Sequence, residues 1–287
     1  MIDGLVVVDK AAGWTSHDVV AKCRGIFGQK RVGHAGTLDP GATGVLLVGL
    51  GRVTRLLRYA GALPKSYVGE IVLGVETTTL DDEGEVTATH DMSGVTLEDV
   101  RDVARRFVGD IEQLPPMVSA VKVAGRRLHA MARAGEEVER QPRPVIVHFL
   151  VVSAGDDPGV FRVEVSCSAG TYIRALAADI GTALGGGAHL RRLRRTAVGE
   201  FNLDEAQPVE ALDPEAVLPP IEAMRGYPRL RVDAGLANEI RHGRVLPMEA
   251  LAAREPGPWA VVDGDGSLLA VYEPYREGAA KPAVVLQ

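Results

Sequence analysis

The sequence predicts an α+β fold whose sheet is mainly antiparallel. Two segments, KSYVGEIVLG at 65–74 and FRVEVSCS at 161–168, alternate apolar and polar residues with the period of a half-buried strand. A third segment, PWAVVDGDGSLLAVYEP at 258–274, is typical of a hairpin around a DGDG turn. Strand-like segments outnumber helical ones and are not separated by regular helices, which is the pattern of the α+β class.

The first fifty residues predict a strand, a helix, a loop and a second strand. LVVVDK at 5–10 is typical of a short strand, and Ser16 is well placed as the N-cap of a helix whose apolar residues recur at helical spacing as far as Phe27. Four glycines in GHAGTLDPGATG at 33–44 exclude a regular helix. The apolar run at 45–50 then predicts a buried strand, so the glycine-rich segment is a loop that enters a sheet.

The middle of the chain continues with a turn and two helices. A turn is predicted at Asp81–Gly84, and Thr96 with Asp99 has the spacing of a capping box ahead of a helix that reaches Phe107. A Pro-Pro pair then interrupts the chain before SAVKVAGRRLHAMARAG at 119–135, which predicts a short extended piece followed by a helix.

A further helix is predicted after the strand that ends near residue 168. Thr171 is able to cap it, which places Tyr172 and Arg174 in its first turn. The helix dipole disfavours a cation at that end, so we expect Arg174 to pair with an anion from elsewhere in the fold. Asp39 is a candidate for that anion.

Composition indicates a globular protein and excludes several classes. The 287 residues are 46% hydrophobic and 24% charged, no apolar run approaches membrane-spanning length, and the N-terminus carries no basic leader. We therefore expect a soluble, cytoplasmic protein. The two cysteines have neither disulfide nor zinc-ligand spacing, so buried structural thiols are expected.

Charge and loop chemistry each leave two interpretations open. The net charge of −6 argues weakly against a nucleic-acid partner, but RRLRR at 191–195 is either a local basic face or a solvated helix face. Asp39-Pro40 has the chemistry of an ordinary turn, and it also puts a lone carboxylate in a flexible glycine-rich loop. A phosphate-binding P-loop is excluded, because Ala42 stands where that motif requires lysine.

Four ordered segments resemble the TruB family of bacterial tRNA pseudouridine-55 synthases. They cover most of the chain, and the GxLDPxATG pattern within the first of them is itself specific. The segments are GHAGTLDPGATGVLLVGLGRVTRLL, KSYVGEIVLG, PPMVSAVKVAGRRLHAMARAGEEVERQPRPV, and CSAGTYIRALAADIG with GAHLRRLRRTAVGEF.

The resemblance implies a fold, a reaction and a partner. It implies a pseudouridine synthase catalytic domain at 1–225, with a mixed, mainly antiparallel sheet and flanking helices, and a small β-rich, PUA-like RNA-binding domain at 226–287. It further implies that uridine 55 in the TΨC loop of tRNA is isomerised by base flipping. No metal or other cofactor is expected, and neither is a membrane or an obligatory protein partner, so a monomer is the default.

The resemblance also implies roles for individual residues. Asp39 resembles the essential catalytic carboxylate, Arg174 its ion-pair partner, and Tyr67 the tyrosine that stacks on the flipped base and takes part in proton transfer. The remaining implied contacts are with the substrate RNA: His34 beside the displaced nucleotides, Tyr172 and Leu193 lining the pocket, and Lys10, Lys122 and the arginines of 191–195 on phosphates.

Some positions depart from the commoner family pattern, and some alternatives remain open. Ala11 replaces a proline, Arg55 a lysine, and Val118 and His129 replace tyrosines, so the RNA contacts are expected to differ in detail from the commoner pattern, above all at Val118 and His129. A binding module that clamps tRNA without chemistry, or a synthase acting on another RNA, are the alternative functions. The resemblance also leaves open whether Asp39 attacks C6 of the base, attacks C1′ of the sugar, or removes the C2′ proton.

Overall fold

We describe the protein from a computed structural model. It describes residues 2–119, 121–123, 125–128, 131, 134, 136 and 138–286, so part of the helix expected within 119–135 lies outside the described residues. The chain forms two compact units. The first unit contains residues 1–39, 45–63 and 198–287, and the second contains residues 40–44 and 64–197.

Helices make up the smaller part of the structure. Short 3₁₀ helices lie at Gly51–Arg55, Val209–Ala211, Pro214–Ala216 and Pro220–Met224. The α-helices bounded by described residues are α1 (Ser16–Ile26), α2 (Leu57–Ala62), α3 (Leu97–Arg105), α4 (Ile173–Ala183) and α5 (Ala234–Arg241). None of the described helices is long and apolar enough to cross a bilayer.

Strands make up the larger part. In chain order they are β1 (Gly4–Lys10), β2 (Val32–Ala35), β3 (Thr43–Leu50), β4 (Lys65–Leu73), β5 (Val75–Thr77), β6 (Val86–Thr89), β7 (Gly109–Gln113), β8 (Lys122–Val123), β9 (Arg126–Arg127), β10 (Arg143–Ala154), β11 (Val160–Cys167), β12 (Ala188–Val198), β13 (Phe201–Asn202), β14 (Gln207–Pro208), β15 (Arg229–Arg231), β16 (Leu246–Pro247), β17 (Trp259–Val262), β18 (Leu268–Pro274) and β19 (Ala279–Val285).

The start of α1 differs by one residue from the prediction. Thr15, not Ser16, is the N-cap: Thr15 Oγ1 accepts from the Asp18 amide at 3.1 Å, and the Asp18 carboxylate accepts from the Thr15 amide at 2.8 Å. Ser16 therefore lies within the first turn, where its side chain is available to another segment. The capping box predicted at Thr96 forms as expected at the start of α3.

The first unit contains two groups of strands. β1 lies between β14 and β3, and β2 is antiparallel to β3 with His34 opposite Val48. The C-terminal strands form a five-stranded sheet in the order β15-β17-β18-β19-β16. One apolar cluster includes Leu5 of β1, Leu47 of β3 and Val271 of β18, so both groups of strands contribute to one core.

The second unit is built on strands in the order β12-β4-β11-β10-β7. The two alternating segments of the sequence form β4 and β11, which are antiparallel neighbours with Tyr67 opposite Val165. Their apolar faces are buried, as the period of two predicted. Cys23 in the first unit and Cys167 in β11 are both buried. Burial raises the pKa of each thiol to about 11.

The observed architecture confirms the predicted fold class. The pairings of β4, β7, β10 and β11 are antiparallel, while the short pairings of β1 with β14 and of β15 with β17 are parallel. The sheet content is therefore mixed and mainly antiparallel, with few helices and a β-rich C-terminal sheet. The domain boundary at 225/226 stays a prediction.

Val271→Ala should test the core shared by the two groups of strands in the first unit. Val271 is fully buried, so removing two methyl groups should lower the free energy of unfolding by about 2 kcal/mol. Hydrogen exchange should show the loss of protection in β1 and β3 as well as in β18. Val86→Ala is the matched control, because Val86 is 61% exposed and should change little. A loss confined to the C-terminal sheet would contradict a common core.

Candidate active site

Asp39 lies half-buried in the loop between β2 and β3. One side chain holds both backbone groups of the residue before it: Ser16 Oγ accepts from the Leu38 amide at 2.9 Å and donates to the Leu38 carbonyl at 3.2 Å. Ser16 and Leu38 are both buried. Because buried backbone groups must find partners within the protein, these two bonds fix the backbone beside Asp39 to the first turn of α1.

Two glycines shape the segment that follows Asp39. Gly44 has a φ of +102°, and a Cβ on it would lie 2.1 Å from the carbonyl oxygen of Arg195, with which it pairs in parallel. A side chain at Gly44 is therefore excluded both by conformation and by contact. Gly41 serves differently, because a Cβ on it would lie 2.8 Å from Glu83 Oε1. Its missing side chain leaves room for the Glu83 carboxylate.

Lys10 and His34 belong to the first unit. His34 is half-buried in β2, and its ring packs edge-on against His17 with 5.3 Å between centroids. Lys10 is 1% exposed, and its ammonium donates to the carbonyls of Ala11 at 3.0 Å and Trp14 at 2.6 Å. The ammonium stabilises the turn between β1 and α1, because it satisfies two carbonyls there. The expected phosphate contact of Lys10 stays a prediction.

Arg174 lies in the first turn of α4, as predicted, and its side chain is 4% exposed. Its Nη1 donates to the Thr79 carbonyl at 2.7 Å and lies 3.4 Å from Asp81 Oδ2, while Nη2 donates to the Val118 carbonyl at 2.9 Å. A buried guanidinium needs such partners, since leaving its charge unpaired is costly. The expected pairing of Arg174 with Asp39 stays a prediction.

Asp81 is a site residue that the sequence interpretation placed only in a turn. The turn forms as predicted, with the Gly84 amide donating to the Asp81 carbonyl at 3.3 Å. Asp81 Oδ1 accepts from the Glu83 amide at 3.2 Å and from the Thr79 hydroxyl, which directs Oδ2 toward Arg174. The one local signal was the density of carboxylates in this turn, which is compatible with solvent exposure as well.

Tyr172 is the N-cap of α4, not a residue of its first turn. Gln113 holds both of its backbone groups: Oε1 accepts from the Tyr172 amide at 2.7 Å, and Nε2 donates to the Tyr172 carbonyl at 3.0 Å. Thr171, the predicted cap, instead donates its hydroxyl to the Ser168 carbonyl at 3.0 Å. Gln113 lies 59 residues before Tyr172, so no local pattern around the helix identifies it.

Leu193 lies over β4 at Gly69, on the face of the strand that also carries Tyr67. Tyr67 is buried in β4, and Gly69 is the next residue on that face. A Cβ on Gly69 would lie 3.4 Å from Leu193 Cδ1, so Leu193 covers the glycine next to Tyr67. Lys65 is the preceding residue on the same face. Burial, and secondly the nearby Arg195 guanidinium, lower the pKa of Lys65 to about 8.

The basic run at 191–195 lies in β12, so the interpretation as a solvated helix face is wrong. Arg195 is 1% exposed, and the phosphate contacts expected of the arginines in this run stay a prediction. The side chain of Arg192 is 65% exposed and lies 3.2 Å from Glu70, which also accepts from Arg191 at 2.7 Å. The arginines of this run therefore divide between structural and exposed positions because the strand alternates its faces.

The remaining predicted contacts and departures are described only in part. Lys122 lies in β8, but its side chain is outside the described part of the structure, as is His129, so their contacts stay predictions. Valine at position 118 does not disturb the contact with Arg174, because Arg174 bonds to the backbone carbonyl of Val118 and not to its side chain. Among the described residues, no group of three or more His, Cys, Asp or Glu side chains is arranged to hold a metal ion.

Fold and site together define the class of protein. The chain aligns with a solved structure of a Cbf5-Nop10-Gar1 complex at a TM-score of 0.77, with 26% identity over 99% of this chain and 84% of that one. This similarity confirms the predicted fold. The family model that matches residues 24–173 makes the protein an enzyme of the pseudouridine synthase class.

The chain belongs to the TruB family of pseudouridylate synthases. The model of the TruB family pseudouridylate synthase N-terminal domain matches residues 24–173. Models of the tRNA pseudouridylate synthase B C-terminal domain and of the tRNA pseudouridine synthase II C-terminal region match residues 174–219 and 227–287.

Two relatives share the full length of the chain. The tRNA pseudouridine synthase B of Rhodococcus jostii is 48% identical over 98% of this chain and 93% of its own length. That of Thermobifida fusca is 46% identical over 99% of each chain.

Ser16→Ala should test how the loop of Asp39 is held. The substitution leaves the buried amide and carbonyl of Leu38 without the Ser16 hydroxyl, so the free energy of unfolding should fall by about 1–3 kcal/mol. Thermal unfolding measures this loss, and hydrogen exchange should locate the increased opening at residues 36–40. Ser93→Ala, at an exposed position, is the control. An unchanged melting temperature for Ser16→Ala would show that its two hydrogen bonds to Leu38 do not hold the loop.

Proposed function

We propose that this enzyme isomerises uridine 55 in the TΨC loop of tRNA to pseudouridine, acting as a monomer in the cytoplasm. The full-length similarity to proteins named tRNA pseudouridine synthase B supports tRNA as the substrate. The chemical part of the proposal rests on the carboxylate of Asp39. This residue follows Leu38, whose backbone amide and carbonyl are both hydrogen-bonded to the Ser16 side chain.

The reaction sets the requirements for the site. The N1–C1′ bond breaks, the uracil rotates, and C5 bonds to C1′, while the C5 proton is lost and N1 gains a proton. Substrate and product are isomers, so no net oxidant or reductant is consumed. The enzyme must supply a nucleophile or base, a closed environment for the detached uracil, and a group that moves the C5 proton.

Asp39 is proposed as the catalytic carboxylate, with Arg174 as the cation that keeps it ionised. Burial in the protein alone would favour a neutral carboxyl group, whereas a nearby guanidinium favours the anion. Arg174 is suited to this role because its planar fork is already held by two carbonyls and by Asp81. Lysine has a single ammonium and would not span those partners.

Tyr67 is proposed to stack on the flipped uracil and to take part in removing the C5 proton. A base within the stacked tRNA elbow has to be extruded before chemistry, at a cost of a few kcal/mol. Stacking on an aromatic ring recovers about 1–3 kcal/mol of this cost. Leu193 of β12 lies over Gly69, the next residue after Tyr67 on the same face of β4, which supports an apolar surface for the base. Tyr172 and His34 are proposed to line the pocket and to contact displaced nucleotides.

Two alternative functions make different predictions. A binding module that clamps tRNA without chemistry has no use for a fixed carboxylate and a buried guanidinium, so its affinity and biological effect would be insensitive to both. A synthase that acts on another RNA as part of a larger complex is less well supported. The identity is 26% to the Cbf5 of the Cbf5-Nop10-Gar1 complex but 48% to the tRNA pseudouridine synthase B of Rhodococcus jostii.

Asp39→Asn should abolish isomerisation and leave tRNA affinity within about threefold of wild type. Asparagine preserves the size and the turn-forming capacity of aspartate but removes the charge needed by a nucleophile or base. Tritium release from tRNA labelled at C5 of uridine measures turnover, and filter binding measures affinity. Asp82→Asn is the matched control, because Asp82 is an exposed turn aspartate.

Two results for Asp39→Asn would overturn the assignment. Substantial tritium release with excess mutant enzyme would show that Asp39 is not the catalytic group. Loss of binding together with activity would return Asp39 to a structural role in the loop.

An isolated stem-loop that reproduces the TΨC arm should be a substrate. RNA is recognised largely through the shape of loops and their splayed bases, so the arm should carry the essential determinants. Its affinity should fall steeply as salt rises, because bound phosphates release counterions. Rates and dissociation constants at two or more salt concentrations test both points. Activity on whole tRNA with none on any such stem-loop would contradict recognition confined to the arm.

A further inference from the structure

The turn between β5 and β6 has more internal bonds than a surface turn requires. The Thr79 hydroxyl donates to Asp81 Oδ1, and the same oxygen accepts from the Glu83 amide at 3.2 Å. The Thr77 hydroxyl donates to the Asp81 carbonyl at 2.6 Å. Asp81 is therefore bound through both its carboxylate and its backbone, which leaves its side chain with one orientation.

This orientation is directed at Arg174. Asp81 Oδ2, the oxygen not used within the turn, lies 3.4 Å from Arg174 Nη1. The same Nη1 donates to the backbone carbonyl of Thr79 at 2.7 Å. Thr79 therefore acts on the guanidinium twice, directly through its carbonyl and indirectly through the hydroxyl that orients Asp81.

The turn is also anchored to the rest of the second unit. Leu80, between the two residues that hold Arg174, has a φ of +64°, a left-handed conformation that is unfavourable for leucine. It is maintained where surrounding contacts determine the backbone, and the Leu80 carbonyl accepts from the Leu190 amide at 3.0 Å. On its other side, the carboxylate of Glu83 occupies the space over Gly41, two residues after Asp39.

We propose that Thr79 is a positioning residue for the reaction, which acts by holding Asp81 and hence the guanidinium of Arg174 in the catalytic geometry. It does not touch the substrate. This inference rests on the proposed role of Arg174, and it adds a requirement for a hydroxyl at position 79 that the catalytic assignment by itself does not contain.

Three variants separate this role from a general effect on folding. Thr79→Val removes the hydroxyl with little change in shape, and Thr79→Ser retains it. Thr78→Val is the matched control, because the exposed Thr78 hydroxyl accepts only from the Glu85 amide in this turn and does not contact Asp81. Each full-length variant is compared with wild type in single-turnover tritium release, filter binding to tRNA and thermal unfolding.

Thr79→Val should lower the single-turnover rate about tenfold, which corresponds to about 1.4 kcal/mol in activation free energy. Its dissociation constant for tRNA should stay within about twofold of wild type, because phosphate contacts are not altered. Thr79→Ser should recover the rate to within about threefold, and Thr78→Val should match wild type. Loss of rate without loss of affinity, rescued by serine, is the signature of positioning.

The opposing results are equally specific. A wild-type rate for Thr79→Val would overturn the proposal, as would a serine variant that is as slow as the valine variant. A lowered melting temperature with rate and affinity reduced together would assign Thr79 to folding alone. These outcomes are distinguishable from failure of the proposed function. That failure would appear as turnover by the Asp39→Asn variant, independently of the results for the Thr79 variants.

Discussion

The second unit depends on satisfying one buried guanidinium. Arg174 begins a helix, where the dipole is unfavourable for a cation, and its side chain is almost entirely removed from water. Such a charge is tolerated only when it is paired and hydrogen-bonded, and its partners here include the Asp81 carboxylate and the carbonyls of Thr79 and Val118. Thr79 and Asp81 lie in one turn and Val118 lies in another loop, so the Arg174 side chain connects both of these segments to α4.

One kind of hydrogen-bonded contact occurs in both units. In it, a buried polar side chain bonds to both the backbone amide and the backbone carbonyl of one distant residue. Ser16 does this for Leu38, beside the proposed catalytic aspartate, and Gln113 does it for Tyr172 at the start of α4. Each pair of hydrogen bonds fixes the backbone of a loop without adding secondary structure. A loop that carries chemistry needs such support, because an error of an ångström in the position of a reacting group lowers the rate substantially.

Two of the positions that depart from the commoner family pattern, Val118 and Arg55, make contacts that involve backbone carbonyls. Val118 contributes its carbonyl, so the replacement of a tyrosine leaves the contact with Arg174 intact. Arg55, in place of a lysine, donates to the Val285 carbonyl at 2.7 Å and so joins the 3₁₀ helix after β3 to the last strand. A contact made through the backbone carbonyl, as at Val118, persists when the side chain changes.

The sequence by itself determined the features that depend on near neighbours. The alternation of β4 and β11, the capping box at Thr96, the turn at Asp81–Gly84 and the loop around Asp39 all follow from periods or from chemistry within a few residues. The motifs in their order also predicted the family. Only the tertiary structure decided which polar groups are buried: Lys10 and Arg195 lie inside, and RRLRR forms a strand. It also decided that Ser16, which was expected to cap its own helix, and Gln113 bind the backbone of distant residues. The reason is physical, since a buried charge or hydroxyl is specified by partners that are tens of residues away, and those partners become neighbours only when the chain has folded.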